Sequence, residues 1–196
     1  MNIGEIKKDR KFWQRMLREA VFYDGAIDGI RGPKQRTAET KWEAACLGLA
    51  QLHGTFDQRS EENILTLLPN AQKVARQWLA TVREMAAGMG VQVKIICGTR
   101  SYAEQDRLYA KRPRVTNARG GQSWHNFGLA FDFGVFSADG KEYYGEHKCY
   151  KVFGQKAAEI EGAEWGGAWK SFKDEPHIQL ALYNTVADAR NHFERN

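Results

Sequence analysis

Two imidazoles and one carboxylate are the groups of this chain best suited to chemistry. His125 and Asp132 lie in Gln122-Ser123-Trp124-His125-Asn126-Phe127-Gly128-Leu129-Ala130-Phe131-Asp132-Phe133, a glycine-containing, aromatic-rich stretch. His177 arrives much later, in Phe172-Lys173-Asp174-Glu175-Pro176-His177-Ile178-Gln179. Two neutral imidazoles and a carboxylate form a zinc set with a fourth position open to water, whereas a structural site is more often closed by four protein ligands, cysteine usually among them. An open site of this kind is hydrolytic: the ion polarises a carbonyl and brings the pKa of water from 15.7 toward about 7. Hydrolysis also needs a carboxylate beside the ion to carry a proton from water to the leaving group.

Asp174 and Glu175 both precede His177 closely enough to be that carboxylate. Pro176 biases Glu175 toward extended geometry. In a straight strand Glu175, not Asp174, would share a face with His177, so Asp174 reaches the ion only if the chain turns there. His147 and Cys149 form a weaker second pair, in a Lys/Glu/Tyr stretch that reads as surface loop.

The elements that must position these groups are legible from periodicity. Residues 11–22 and 35–52 read as helices around the Gly/Asp-rich turn segment 23–33. Polar residues with Gly54, Asp57 and Ser60 suggest a linker over 56–69. Residues 70–87 carry one apolar stripe, ended by Gly88 or Gly90. Val91 to Cys97 alternates and is β-branched, so it reads as a strand. Ser101 with Glu104 forms a capping-box pattern for a helix through Ala110. Arg100 therefore stands at a strand exit beside a helix start, and its planar fork suits a carboxylate. After a loop over 111–122, residues 128–135 read as a buried strand and 130–145 as a hairpin turning at Ala138-Asp139-Gly140-Lys141. A helix over 150–161, an aromatic–glycine loop at 165–169, a short strand at 177–182 and a terminal helix at 185–193 complete the chain.

The chain has 196 residues, 42% hydrophobic and 27% charged, enough for one full domain and a small one. A net charge of +5 and a pI near 9.1 favour anionic partners: nucleic acid, acidic lipid or an anionic wall polymer. No block of like charge and no recognition-helix or RNA-binding signature supports nucleic acid. The three scattered cysteines suggest a reducing compartment rather than a disulfide framework. The first twenty residues show no apolar signal-peptide core, and no run is long enough to span a membrane.

Beyond what the residues dictate, Ser123-x-His125-x-x-Gly128-x-Ala130-x-Asp132 with Asp174-x-x-His177 resembles the zinc peptidases that act on D-alanyl-D-alanine and L-alanyl-D-glutamate bonds of bacterial walls. The longer pattern resembles the L-alanyl-D-glutamate endopeptidases, phage endolysins included. It runs from Val115-Thr116-Asn117-Ala118 through Glu164-Trp165-Gly166-Gly167 to Pro176-His177. The resemblance implies zinc on His125, Asp132 and His177 and Asp174 as the proton-carrying base; Arg100, from its fork at the strand exit, is expected to grip a substrate carboxylate, and Ser123 to bind substrate. It implies an α+β fold of the hedgehog/D-Ala-D-Ala peptidase type, with a small antiparallel sheet and flanking helices.

Tyr23-Asp24-Gly25, Asp28-Gly29-Ile30, Gly32-Pro33-Lys34, Ala38 and Trp42 resemble the small helical peptidoglycan-binding domain of wall hydrolases, with Gln35 where that family usually has Thr and Glu43 where it has Gln. The expected division is thus 1–55 as a small all-α wall-binding domain, 56–69 as linker and 70–196 as zinc peptidase. The expected protein is a monomer with bacterial peptidoglycan as partner. It would be made in the host cytoplasm without a signal peptide, reach the wall after release, and bind no nucleic acid. A D-alanyl-D-alanine carboxypeptidase and a non-catalytic zinc-containing binding domain are the competing readings.

Overall fold

In a computed structural model, which describes residues 2–113 and 115–195, the apolar stripe of the central helix explains most of the architecture. Arg114, within the expected 111–122 loop, lies outside the described residues. Three helices come first: α1 (Ile3–Lys8), α2 (Arg10–Glu19) and α3 (Pro33–His53). Next are α4 (Gln58–Ile64) and the central helix α5 (Pro69–Gly88). Strand β1 (Val91–Cys97) and α6 (Tyr102–Ala110) lead to a 3-10 turn at Trp124–Phe127 and to β2 (Ala130–Ser137). The chain ends through β3 (Tyr143–Tyr144), α7 (Cys149–Gln155), β4 (Ala163–Trp165), β5 (His177–Leu180) and α8 (Val186–Glu194).

The antiparallel sheet runs β1-β2-β5-β4, with β3 paired to the far end of β2. This is the expected α+β arrangement. One face carries Val93, Ile95, Phe131, Phe133, Val135 and Ile178 onto the α5 stripe of Val74, Trp78, Leu79 and Val82, all buried. The outer edge of β1 is covered by α4, where Ser60 Oγ accepts from Ile95 N (3.0 Å) and Asn63 Nδ2 donates to Ile95 O (3.2 Å). An edge sealed in this way cannot recruit another strand.

Residues 56–69, expected as linker, instead hold α4, with Ser60, Ile64, Leu67 and Leu68 buried. Polarity misled here because the polar groups of this stretch are used internally. Arg76, fully buried on α5, makes a two-pronged ion pair with Glu61 (2.8 Å each) and donates to Gly54 O (2.9 Å). The start of the chain also holds a helix that the 11–22 pattern did not include. Asn2 and Glu5 form a capping box for α1, and Asp9 caps α2 by accepting from Phe12 N.

The N-terminal helices share one core with the sheet. Trp13 packs edge-on to Trp42, its Nε1 donating to buried Glu39, which also receives Arg31 and Gln35. Buried Gln14 holds the 23–33 loop, bonding Asp28 Oδ1, Ile30 O and Gly29 N. Four rings from four segments, Phe12, Tyr102, Phe127 and Phe193, close into a square with centroids 5.3 to 6.4 Å apart.

Candidate metal centre

Three sheet positions and one turn build the site. Across β1, β2 and β5 the register places Cys97 opposite Asp132 and Asp132 opposite His177, so all three face the same side, away from α5. Cys97 reaches that side through a register shift between Ile95 and Cys97; strict alternation would have pointed it into the core with Ile95. His125 comes from the Trp124–Phe127 turn, which ends at Gly128 with φ 69°. Asn126 locks this turn by accepting from Gly121 N and Ser123 N while donating to Arg100 O.

The donor atoms converge. His125 Nε2 lies 3.1 Å from Asp132 Oδ1 and 3.2 Å from His177 Nδ1, and His177 Nδ1 lies 3.2 Å from Asp132 Oδ1. A tetrahedral ion with bonds of about 2.0–2.1 Å has ligand atoms about 3.3–3.4 Å apart, so the triangle has the size that zinc needs. Each imidazole also has its other nitrogen occupied. His125 Nδ1 is 2.8 Å from Gly98 O, and His177 Nε2 is 3.1 Å from Gln179 Oε1. An N–H donated to each of those acceptors leaves a lone pair on His125 Nε2 and on His177 Nδ1, the atoms that face each other.

The charges fit the same picture. Burial keeps His125 neutral, lowering its pKa to about 4. Burial alone would raise the Asp132 carboxyl, but His125, His177 and Arg100 together hold it well below the usual range. Burial would lower His177, and the Asp132 carboxylate outweighs it and raises the ring. Cys97, His125 and Asp132 form a second group whose ligand atoms lie within 4.8 Å of one another. The Cys97 thiol is a poorer candidate than His177. Burial pushes its pKa up to about 11, and its sulfur accepts from Arg100 Nε at 3.0 Å.

Asp174 and Glu175 part company at a turn. His177 N donates to Asp174 O (3.2 Å), closing the Asp174-Glu175-Pro176-His177 turn that spacing required. Asp174 lines the cleft with His125, Asp132 and His177; Glu175 is exposed on the other side of Trp169, in a separate groove beside Lys173. Gly166 makes the turn fit: a Cβ there would lie 2.5 Å from Asp174 O and 3.2 Å from the His177 Cβ. Burial, then the Asp132 charge, raises the Asp174 carboxyl.

Arg100 is placed differently from the expected grip on substrate. Its three nitrogens go to Cys97 Sγ, Gln105 Oε1 and Asp132 Oδ2. The fork thus holds the oxygen of Asp132 that does not face the histidines. Ser123 is half-buried in the cleft wall. The cleft, about 760 Å³, is rimmed by exposed Val115, Tyr143 and Phe172, with Trp124 and Trp169 deeper. A groove of about 850 Å³ beside His53, Lys73 and Leu182 has no comparable donor set among the described residues. His147 stacks on Tyr144 and Cys149 is buried against Met89, far from forming a second site. Sequence reasoning passed over Gln179, although its place two residues beyond a strand histidine puts both side chains on one face.

Residues 116–180 match the profile of a family described as D-alanyl-D-alanine carboxypeptidase. The chain is similar to the peptidoglycan L-alanyl-D-glutamate endopeptidase CwlK of Bacillus subtilis (strain 168): 40% identical over 119 residues, covering 55% of this chain and 71% of that one. It is also similar to the L-alanyl-D-glutamate peptidase of Listeria phage A118: 30% identical over 133 residues, covering 64% of this chain and 42% of that one.

Proposed function

We propose, for a chain that belongs to peptidase family M15, that it is a zinc-dependent peptidoglycan hydrolase cutting the L-alanyl-D-glutamate bond of wall stem peptides. The observation that carries the reading is the 3.1–3.2 Å triangle of His125 Nε2, Asp132 Oδ1 and His177 Nδ1, open to a cleft that Asp174 also lines. In this reading those three atoms would hold the ion. Zinc suits two imidazoles and one carboxylate, where calcium would want six to eight oxygens. When bound, the ion supplies Lewis-acid polarisation of the scissile carbonyl and acidifies water.

The protein's own groups do the rest. Asp174 takes the proton from the attacking water and passes it to the amine that leaves on the D-glutamate side. Arg100 fixes Asp132 through Oδ2 and so keeps Oδ1 on the ion side. Trp124, Trp169 and the exposed rim of Tyr143 and Phe172 give the cleft apolar walls against which a peptide chain can lie. Ser123 lies within reach of the same chain.

The helical segment 1–55 contributes wall affinity, on the strength of its Tyr23-Asp24-Gly25 and Gly32-Pro33-Lys34 pattern. The donor triangle and Asp174 are complete within one copy of the chain, which is compatible with the expected monomer. No helix among the described residues is long and apolar enough to cross a membrane. Similarity to a phage peptidase supports an endolysin, made inside the host and acting on the wall after release.

Elemental analysis tests the metal half of this reading. One zinc per chain is expected, lost with wall-lysing activity in His125→Ala and in His177→Ala. Full zinc occupancy in both variants would contradict it.

A further inference from the structure

His177 is held from behind by a chain of two side chains that neither the family pattern nor the spacing singled out. Its Nε2 lies 3.1 Å from Gln179 Oε1, and Gln179 Nε2 donates to Glu164 Oε2 at 2.9 Å. The sheet dictates the arrangement. Gln179 stands two residues after His177 on β5, on the same face, and Glu164 of β4 is its direct cross-strand partner. His177 and Gln179 are each 5% exposed, while Glu164 is exposed. A hydrogen-bonded path therefore runs from the donor triangle, through the sheet, to a carboxylate on the edge strand.

The path is directional. An ionised carboxylate only accepts, so Glu164 must receive the Gln179 amide N–H. That fixes the amide with Oε1 toward His177, and an acceptor there requires the proton on His177 Nε2. The lone pair is then left on Nδ1, the atom 3.2 Å from both His125 Nε2 and Asp132 Oδ1. His125 needs no such device, because a backbone carbonyl, Gly98 O, already fixes its tautomer. We infer that Glu164 and Gln179 are positioning residues that hold His177 in the tautomer and orientation of an Nδ1 metal donor. The inference rests on the reading of His177 as a ligand.

Partners of ligating histidines typically contribute 10–100-fold in metal affinity. Zinc affinity, measured by competition with a chromogenic chelator, should fall by about that factor in Gln179→Leu, and should be largely kept in Gln179→Glu, whose carboxylate still accepts from His177 Nε2–H. The exchange Glu164→Gln with Gln179→Glu reverses the second hydrogen bond, the amide at 164 donating to the carboxylate at 179, but keeps the acceptor against His177, so it too should keep zinc. In 15N–1H NMR of the zinc-loaded protein, the His177 Nε2–H resonance should be protected in the wild type and the exchanged variant, and exposed in Gln179→Leu. A loss of zinc affinity in the double exchange as large as in Gln179→Leu would overturn the inference, as would unchanged affinity in Gln179→Leu while His177→Ala loses zinc. Zinc binding that survives His177→Ala would instead sink the ligand reading beneath it.

Discussion

Gly128→Ala isolates how the N-terminal helices support the metal centre. Gly128 ends the turn that carries His125, with φ 69° and ψ 22°. An L-residue there costs about 1–2 kcal/mol. The added Cβ would lie 2.7 Å from Met16 Cε, 3.2 Å from Leu68 Cγ and 3.1 Å from Leu68 N. The methionine end can swing away, but Leu68 N is backbone that donates to Gly128 O at 3.0 Å and starts α5. Overpacking of this kind costs about 1–3 kcal/mol. The stiffer unfolded chain returns about 0.4–1 kcal/mol. The net loss is about 2–4 kcal/mol, and at about 2–4 °C per kcal/mol for a chain of this size the Tm should fall by roughly 5–15 °C. Zinc affinity should fall as well, because His125 moves with the turn. Calorimetry of the zinc-free protein separates the two effects, and adding Met16→Ala should make the pair less costly than the sum of the single changes. A Tm unchanged in Gly128→Ala, or strict additivity with Met16→Ala, would refute the idea that α2 buttresses this turn.

Asp174→Ala should keep zinc and lose about a hundredfold or more in turnover, with Glu175→Ala much milder; the reverse ranking in kcat would move the base to Glu175. Because the base must be unprotonated, kcat/KM should fall as pH drops through its pKa, and Asp174→Asn should remove that limb. Arg100→Lys keeps the charge but not the fork, so zinc affinity and turnover should both drop; a rise in KM alone would restore Arg100 to substrate binding. Deleting residues 1–52 removes Phe12, Trp13, Met16 and Trp42 from the shared core, so activity on small soluble peptides should fall along with sedimentation on walls. Full activity on soluble peptides with lost sedimentation would make the segment an independent binding module.

The helices and strands with strong periodicity were legible in the chain: the α5 stripe, the alternating β1 and the hairpin at Asp139-Gly140 all lie where their patterns put them. The 56–69 stretch was not, because Glu61, Asn63 and Ser60 look solvent-facing in sequence but are spent on Arg76 and the β1 edge. The donor residues were legible as types, and their convergence depends on features that no local pattern carries. The shift that turns Cys97 outward and the Asp174 turn that separates Asp174 from Glu175 are tertiary. Arg100 shows the limit most clearly. A strand exit and a planar fork suggested a hand for substrate, but its three partners are Cys97, Gln105 and Asp132, of which Cys97 and Gln105 are near in the chain and Asp132 is brought there only by the tertiary fold.

The central claim concerns one bond, and mass spectrometry of muropeptides from walls digested by the zinc-loaded protein addresses it directly. Stem peptides released with a new D-glutamate amino terminus, and L-alanine left on the glycan lactyl group, are the predicted products. Free D-alanine as the sole product would assign the chain to the carboxypeptidase branch of its family, and new sugar reducing ends would contradict the account altogether.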